Sequence, residues 1–256
     1  MFPEKGTVFF PERGFIGTPA DAGLAFEDVY FRTADGVRLH AWWVPHPSAI
    51  ATWLWFHGNA GNISHRLENL VLLREVVPVS VFLFDYREYG RSEGEISKAG
   101  TFLDADAAYR AVASRAGGST LPLILFGRSL GTALAVHAAA QHRCAGVILE
   151  AAFTSSADVM RLYFPFLPPP PPGAPTYDSL ALIGKVRCPM LFLHGEHDEI
   201  IPLEMARRLF AAAPDPKRFE VIPGAGHNDT YVVGGRGYFE TLARFVREAA
   251  AGTAAA

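Results

Sequence analysis

The 256-residue sequence has little cysteine, no long apolar run and no strong excess of one charge. Its two cysteines, Cys144 and Cys188, are too few for a disulfide framework, and their apolar surroundings predict buried, unreactive thiols. No apolar run approaches the roughly 18 residues that span a bilayer, so we expect no integral membrane segment. The first residues contain no apolar signal-peptide core, which predicts a cytoplasmic protein.

The charge balance argues against polyanionic partners. The chain has 26 acidic and 23 basic residues, for a net charge of −3, so we expect no general attraction to nucleic acid or anionic lipid. Half of the residues are apolar, and a chain of this composition buries a sizeable core. Disorder is therefore excluded as the dominant state, and the length fits one large α/β domain or two small ones.

Short apolar segments alternate with segments of helical periodicity. The pattern predicts strands at 52–56, 79–84, 121–126, 146–149, 190–194 and 218–222, and helices at 64–76, 99–115, 129–141, 203–213 and 238–250. A hairpin is predicted between 24–32 and 37–44, around the turn dipeptide Asp35-Gly36. This alternation is typical of an α/β fold with a mostly parallel sheet covered on both faces. Chemistry in such folds lies at the carboxyl ends of the strands.

One motif lies between a predicted strand and a predicted helix. Residues 127–131 read Gly-Arg-Ser-Leu-Gly and fit G-x-S-x-G, the nucleophile elbow. Gly127 and Gly131 remove side chains where strand and helix approach closely, and Ser129 is then held at the top of the sheet. A purely structural serine is the alternative interpretation. Serine is a weak nucleophile and needs a base, usually a histidine with an acid behind it.

Candidates for the acid and the base follow in the required chain order. Asp198 comes after the strand at 190–194, and His227 lies in a glycine-containing loop after the next strand. Glu150, at the end of the strand at 146–149, is the alternative acid. His194 and His197 with Asp198 also suggest metal ligands, but no cysteine adjoins them and no H-E-x-x-H occurs. We therefore predict no metal and no cofactor.

Acyl transfer also needs hydrogen-bond donors for the oxyanion. The first predicted donor is the backbone N–H of Leu130, directly after the nucleophile. The second is assigned to the N–H of Asn59, in the loop 57–62 that follows the strand at 52–56. The alternative for this loop is an ordinary Gly/Asn turn.

Five stretches together resemble the α/β-hydrolase superfamily, and specifically serine hydrolases of the BEM46-like/ABHD13/ABHD17 branch. They are HGNAGN at 57–62, DYREYG at 85–90, GRSLG at 127–131, HGEHD at 194–198 and GAGHND at 224–229. The resemblance implies an α/β-hydrolase fold with about eight mostly parallel strands. The chain departs from the branch at Glu88, where glycine is usual. Either Glu88 is strained by a positive φ, or it adds a carboxylate near the mouth of the site.

Five consecutive prolines at 168–172 suggest either an interdomain linker or an insert within one domain. Because Ser129 precedes them while Asp198 and His227 follow them, we predict a cap, residues 151–187, within a single domain of residues 1–256. Apolar cap residues are expected to line a substrate pocket or to pack the cap onto the sheet. The candidates for the pocket are Met160, Tyr163, Phe164 and Phe166.

The combined features predict a serine ester hydrolase that cleaves short-to-medium acyl esters through an acyl-enzyme on Ser129. A small-molecule acyl ester is the expected partner, and no oligomeric state follows from the sequence. A thioesterase, an S-deacylase or a peptidase would use the same triad. A non-catalytic ligand-binding protein is an alternative of a different class, although a binding protein has no need of all three triad groups.

Overall fold

The computed structural model describes residues 5–115, 121–168, 171 and 173–254. The strands are β1 (Phe10–Pro11), β2 (Glu27–Arg32), β3 (Arg38–Val44), β4 (Ala51–Phe56), β5 (Ala60–Gly61), β6 (Val79–Phe84), β7 (Leu123–Arg128), β8 (Gly146–Glu150), β9 (Met190–Gly195) and β10 (Lys217–Ile222). The α-helices are α1 (Leu67–Val76), α2 (Lys98–Arg115), α3 (Leu130–Gln141), α4 (Ser156–Tyr163), α5 (Ser179–Ile183), α6 (Leu203–Ala212) and α7 (Thr230–Ala254). Short 3₁₀ turns occur at Pro19–Ala22 and Ile63–Arg66.

Eight strands form one sheet in the order β10-β9-β8-β7-β4-β6-β3-β2. The strands from β10 to β6 run parallel, while β3 is antiparallel to both β6 and β2. The predicted mostly parallel sheet and its N-terminal hairpin are thus confirmed. The neighbours of β4 are β6 on one side and β7 on the other, which creates a crevice at the carboxyl ends of the strands.

Helices cover both faces of the sheet because side chains along its buried strands alternate in direction. In β4, Leu54 and Phe56 join the core formed with α2, α3, α5 and α6. Trp53 and Trp55 point the other way, into the core formed with α1 and α7. The two-face covering predicted from the sequence is confirmed.

Two glycines allow α3 to contact the sheet backbone. A Cβ placed on Gly131 would lie 2.0 Å from the carbonyl oxygen of Phe56, and one on Gly127 would lie 2.4 Å from that of Gly131. Both clashes are with backbone, which cannot rotate away. The close approach fixes the turn between β7 and α3, and with it the position of Ser129.

Glu88 has a φ of 71°, so the position that is usually glycine in the branch does adopt a left-handed conformation. Its carboxylate accepts a hydrogen bond from Ile96 N–H at 2.9 Å and pairs with Lys5. Glu88 does not line the cavity described below. The first of the two alternatives therefore holds, and the prediction of a carboxylate at the mouth of the site is wrong.

The segment between β8 and β9 contains two helices that the sequence pattern did not indicate. Helix α4 begins after Ser155, whose Oγ accepts a hydrogen bond from Asp158 N–H at 3.0 Å. Helix α5 leads into the core formed with α2, α3 and α6, where Ile183 and Val186 are fully buried. Of the five prolines, Pro169, Pro170 and Pro172 lie outside the described residues.

The two cysteines are neighbours in space. Cys188 is buried as predicted, but Cys144 is only partly buried, which corrects the expectation for that thiol. Their Sγ atoms lie 3.2 Å apart and are not joined in a disulfide. Among the helices of the described ranges, none combines the length and apolarity that crossing a bilayer requires.

Candidate active site

Ser129 lies at the turn from β7 into α3, with φ 52° and ψ −120°. A positive φ is uncommon for a residue with a side chain, and such strained positions cluster at functional sites. The Ser129 amide donates to the carbonyl of Glu150 at 2.8 Å, which helps to hold the turn. Its hydroxyl lies at the carboxyl ends of the strands and lines a cavity.

His227 joins Ser129 to Asp198. Its Nε2 lies 3.0 Å from Ser129 Oγ, and its Nδ1 lies 2.8 Å from Asp198 Oδ2. Both His227 and Asp198 are buried, whereas Ser129 is partly exposed. The three residues predicted from the sequence are therefore brought together by loops that follow three different strands, in the arrangement that activates a serine hydroxyl.

Backbone donors stabilise the charged form of Asp198. Burial alone would raise the pKa of this carboxyl, but the hydrogen bond from His227, its charge and the Ile201 N–H bring the pKa below its usual range. Oδ1 of Asp198 accepts from the N–H groups of Ile200 and Ile201 at 2.9 and 2.7 Å. Asp198 is thus an ionised, oriented acceptor for the His227 ring.

Glu150, the alternative acid, does not contact the histidine ring. Its carboxylate is fully buried and accepts from Arg128 Nε at 3.0 Å and Thr230 Oγ1 at 2.6 Å, and it also accepts from the Tyr238 hydroxyl. Arg128 in turn donates to the backbone oxygen of His227 at 2.6 Å. Glu150 therefore supports the His227 loop from below, and Asp198 is the carboxylate that touches the ring.

The histidine-rich stretch at 194–198 does not assemble a metal site. His194 is buried near the end of β9, and its Nε2 lies 2.8 Å from the carbonyl oxygen of Ile201. The His197 side chain is 70% exposed and turned away from the core. Within the described residues, no group of three or more His, Cys, Asp or Glu side chains is arranged to hold a metal ion.

The loop after β4 lies beside the serine. A Cβ on Gly58 would be 3.8 Å from Ser129 Cβ, and Asn59 and Leu130 both line the cavity. Leu130 is the first residue of α3, so its N–H has no acceptor one turn earlier in the helix. The two residues predicted as oxyanion donors are therefore on either side of Ser129.

Residues near the N-terminus hold this loop in place. Phe10 N–H donates to Asn59 O at 3.0 Å, and the Asn59 side-chain amide donates to Val8 O at 2.7 Å. Strand β1 pairs with β5 through Phe10 and Ala60. The Tyr89 hydroxyl adds a bond to Asn59 O at 2.6 Å. The Asn59 carbonyl is thus occupied by two donors, which fixes the orientation of the Gly58–Asn59–Ala60 backbone.

A cavity of about 800 Å³ opens over Ser129. The four cap residues that sequence reasoning named, Met160, Tyr163, Phe164 and Phe166, all line it. Three of them are also exposed: Tyr163 is 46%, Phe164 49% and Phe166 79% accessible. The volume lies in the upper part of the usual range for small-molecule sites.

Sequence reasoning missed two contributors to this cavity. Thr7, Val8 and Phe10 reach it from the N-terminal segment, and the basic residues Arg66 and Lys98 reach it from the 3₁₀ turn Ile63–Arg66 and from the start of α2. The short apolar run Val8-Phe9-Phe10 was the one available signal for the first group. Nothing in the local sequence of Arg66 distinguished it from an ordinary surface arginine.

Comparison with known proteins identifies the family. The family model described as an alpha/beta hydrolase domain matches residues 52–250. Over 258 residues the chain is 33% identical to protein bem46 of Schizosaccharomyces pombe, and the match covers 93% of this chain and 83% of that protein. The chain belongs to the α/β-hydrolase family, in its BEM46-like branch. The resemblance seen in the sequence motifs is confirmed.

Two further similarities support the same assignment. An uncharacterized protein of Mycobacterium tuberculosis strain H37Rv is 37% identical over 249 residues, covering 96% of this chain and 88% of that protein. The crystallised Pyrococcus furiosus esterase Pf2001 superposes with a TM-score of 0.77 at 18% identity, covering 94% of this chain and 98% of the esterase. At that identity the superposition establishes the shared α/β-hydrolase fold. Together, family and fold support a hydrolase.

Proposed function

We propose that the α/β-hydrolase cleaves carboxylic esters through an acyl-enzyme on Ser129. The observation that carries this proposal is the hydrogen-bonded series from Ser129 Oγ through the His227 ring to the buried Asp198 carboxylate. A protein that only binds a ligand has no need of a strained serine, an oriented imidazole and an ionised acid in one line. This arrangement is the chemical requirement for nucleophilic acyl transfer.

Each group has a defined part in the reaction. Ser129 Oγ attacks the acyl carbonyl while His227 Nε2 accepts its proton, and Asp198 stabilises the resulting imidazolium. The N–H groups of Asn59 and Leu130 bind the oxyanion of the tetrahedral intermediate. His227 then protonates the leaving alcohol, which departs. Water, deprotonated by His227, attacks the acyl-enzyme and releases the carboxylic acid and free Ser129.

The apolar cavity supports an acyl chain as the group bound beside Ser129. We propose short-to-medium acyl esters, because five consecutive prolines make the cap sequence stiff and because Phe164 and Phe166 line the cavity. The cavity volume of about 800 Å³ would admit a longer chain. In this proposal the cap, and not the volume of the cavity, therefore limits the length of the acyl chain.

Covalent labelling tests the nucleophile. A fluorophosphonate probe should label the wild-type protein, and Ser129→Ala should lose both the label and about 10⁴–10⁶-fold in kcat on p-nitrophenyl butyrate. Ser114→Ala, an exposed serine on α2, is the matched control and should keep both. Labelling that persists in Ser129→Ala would mean that another residue reacts, and an unlabelled, inactive wild-type protein would favour the ligand-binding alternative.

A graded ester panel tests the acyl length. In the wild type, kcat/KM should rise from acetate, peak at short-to-medium chains and fall toward palmitate, because each buried CH₂ contributes about 0.8 kcal/mol until the pocket is full. Phe166→Ala should move the peak to longer chains. Ile16→Ala removes another strongly exposed apolar side chain, away from the cavity, and should leave the peak unchanged. A palmitate optimum unaffected by Phe166→Ala would favour an S-deacylase.

The cytoplasmic location predicted from the sequence is also a proposal. A carboxylesterase acting on small esters has no chemical need for a membrane or an external compartment. Fractionation of cells that make the protein, with immunodetection in each fraction, tests this location directly. Recovery in the membrane fraction that persists after a high-salt wash would contradict it.

A further inference from the structure

The charge of the cavity lining is one-sided. Three of the described lining residues are basic, Arg66, Lys98 and Arg128, and none is Asp or Glu. Arg128 is neutralised by its ion pair with Glu150. An apolar cavity that also presents a cationic group suits a ligand with both an apolar part and an anionic part.

Arg66 differs from Arg128 in having no ion-pair partner in the part of the chain that the structure describes. Its Nη2 donates to the carbonyl oxygen of Ala60 at 2.5 Å, while its Nε is buried without a hydrogen-bond partner. Asp85 acts on it only at longer range, and that carboxylate accepts from Ile63 N–H and lies 3.5 Å from His57 Nε2. An N–H group of a cation is therefore left unsatisfied beside the proposed substrate site.

The electrostatic setting of Arg66 agrees with this geometry. Burial, together with the neighbouring charge of Arg128, lowers the pKa of its guanidinium to about 10. The group stays charged at neutral pH but is poorly solvated. A bound anion would supply the missing counter-charge, and charge-assisted hydrogen bonds to a guanidinium are about twice as strong as neutral ones.

We propose that Arg66 binds an anionic group of the substrate, a carboxylate or a phosphate, so that the preferred esters are amphiphilic anions. This inference rests on the proposed ester hydrolysis and names the substrate class of the same site. The anion belongs either to the acyl chain or to the leaving alcohol. Arg66 also donates a hydrogen bond to Ala60 O in the loop 57–62, which carries the proposed oxyanion donor Asn59. The test must therefore distinguish a lost contact with the substrate anion from a displacement of this loop.

Matched substrate pairs make that separation. For the acyl side, the mono-p-nitrophenyl ester of adipic acid is compared with p-nitrophenyl hexanoate. For the alcohol side, p-hexanoyloxybenzoate is compared with its methyl ester. The quantity measured is the anionic-to-neutral ratio of kcat/KM, in which any general damage to the loop 57–62 cancels.

Arg66→Gln should lower this ratio by about 10-fold or more for at least one pair, and Arg66→Lys should restore part of it. Arg207→Gln, an exposed arginine on α6, is the control and should leave both ratios unchanged. The pair that responds tells whether the acyl chain or the alcohol carries the anion. Unchanged ratios for both pairs in Arg66→Gln would overturn the proposal.

A binding measurement distinguishes failure of this inference from failure of the proposed function. In the Ser129→Ala background, the anionic ester of at least one of the two pairs should bind more tightly than its neutral partner by calorimetry, and addition of Arg66→Gln should remove the difference. A wild type that hydrolyses none of the four esters refutes ester hydrolysis but leaves this binding result intact. Equal binding within both pairs to Ser129→Ala refutes the anion site alone.

The two cysteines lie at the amino ends of β8 and β9, at the opposite end of the sheet from Ser129. Cys144 precedes β8 and Cys188 precedes β9, and their Sγ atoms are 3.2 Å apart. Because β8 and β9 are neighbours, the strand ends hold the thiols together in the folded state. We infer that they form a reversible disulfide with a small-molecule disulfide as oxidant. Two thiols and one glutathione disulfide become one protein disulfide and two glutathione thiols, so atoms and electrons balance.

Such a bond would close the connection that carries the proposed cap, which lies between the two cysteines. After treatment with oxidised glutathione, the protein should lose the mass of two hydrogen atoms and show no free thiol under denaturing conditions. Its Tm should rise and return on reduction, because the unfolded chain is constrained. Cys188→Ser should show neither the mass loss nor the reversible Tm shift. Two free thiols in the treated wild type, or glutathione adducts on each cysteine, would overturn the inference.

Discussion

Arg128 and Glu150 form a buried ion pair directly across β7 and β8, with Nε and Oε1 3.0 Å apart. Arg128 immediately precedes the proposed nucleophile, and its Nη2 donates to the backbone oxygen of His227 at 2.6 Å. One side chain thus connects the serine turn, the adjacent strand and the histidine loop. The relative position of nucleophile and base depends on a charge pair that takes no part in the chemistry.

Glu150 and Asp198 should differ sharply on substitution. Asp198→Asn should lower kcat by about 10⁴-fold with a small loss of stability, because the imidazole loses its orienting acceptor. Glu150→Gln should leave the buried Arg128 charge unpaired and lower the free energy of unfolding by about 3–5 kcal/mol. Steady-state kinetics and urea unfolding of both variants measure the two effects. The reverse ranking in kcat would make Glu150 the acid.

Gly131 should not tolerate even one methyl group. Gly131→Ala places a Cβ 2.0 Å from the Phe56 carbonyl oxygen, so α3 must move away from β4 at a cost of about 3 kcal/mol or more. Gly184→Ala is the matched control, since its φ is −65° and no atom lies within 4 Å of the new Cβ. Thermal unfolding should show a large decrease in Tm for Gly131→Ala and no decrease for Gly184→Ala. Equal Tm values would refute the close backbone contact.

The Tyr89 hydroxyl should matter for kcat rather than for KM. Tyr89→Phe removes the 2.6 Å bond to Asn59 O and loosens the proposed oxyanion donor, which would act only in the transition state, so kcat should fall about 10-fold. Tyr109→Phe removes an equivalent hydroxyl-to-carbonyl bond, to Arg143 O at 2.7 Å, away from the cavity. It should keep the wild-type kcat. An unaffected kcat in Tyr89→Phe would show that the loop is held adequately by Phe10 alone.

His194 should make stability depend on pH. Burial lowers the pKa of its imidazole, so the folded protein keeps it neutral where the unfolded chain, with a pKa near ~6.5, binds a proton. The free energy of unfolding should therefore fall as pH decreases below about 6.5, by up to about 1.4 kcal/mol per pH unit for this group, until the folded-state pKa is reached.

Urea unfolding between about pH 5.5 and 7.5 measures this slope. His194→Gln keeps an N–H donor for Ile201 O but removes the titration, so its slope should be shallower than that of the wild type. His197→Gln alters a histidine whose side chain is 70% exposed and should leave the slope unchanged. A His194→Gln protein with the wild-type slope would show that the protons bind elsewhere.

Local patterns were sufficient for the elements that position the triad. Strand β6 has the bounds predicted from its apolar run, and β4 and β9 differ by one residue at an end, because fully buried strands are continuous apolar runs. The Gly127 and Gly131 spacing predicted the serine turn for a steric reason that holds in the structure. Chain order along the sheet then selected Asp198 and His227.

Features that depend on distant segments escaped prediction. Helix α4 has only 8 residues, too few for its apolar spacing to indicate a helix, and the pairing of β1 with β5 involves two residues on each side. Within the described residues, the lack of a carboxylate partner for Arg66 is a property of three-dimensional packing, since only the fold shows which carboxylates reach it. Cys144 and Cys188 are 44 residues apart and become neighbours only through the pairing of β8 with β9.

The bonds between the N-terminal segment and the Asn59 loop have a consequence for protein engineering. A transplant of the loop 57–62 into another α/β-hydrolase would leave Asn59 O without its Phe10 donor and its side-chain amide without Val8 O. The transplantable unit is therefore discontinuous: the loop, residues 8–11 and Tyr89 must be moved together. For the same reason, an affinity tag is better fused to the end of α7 than placed ahead of Phe10.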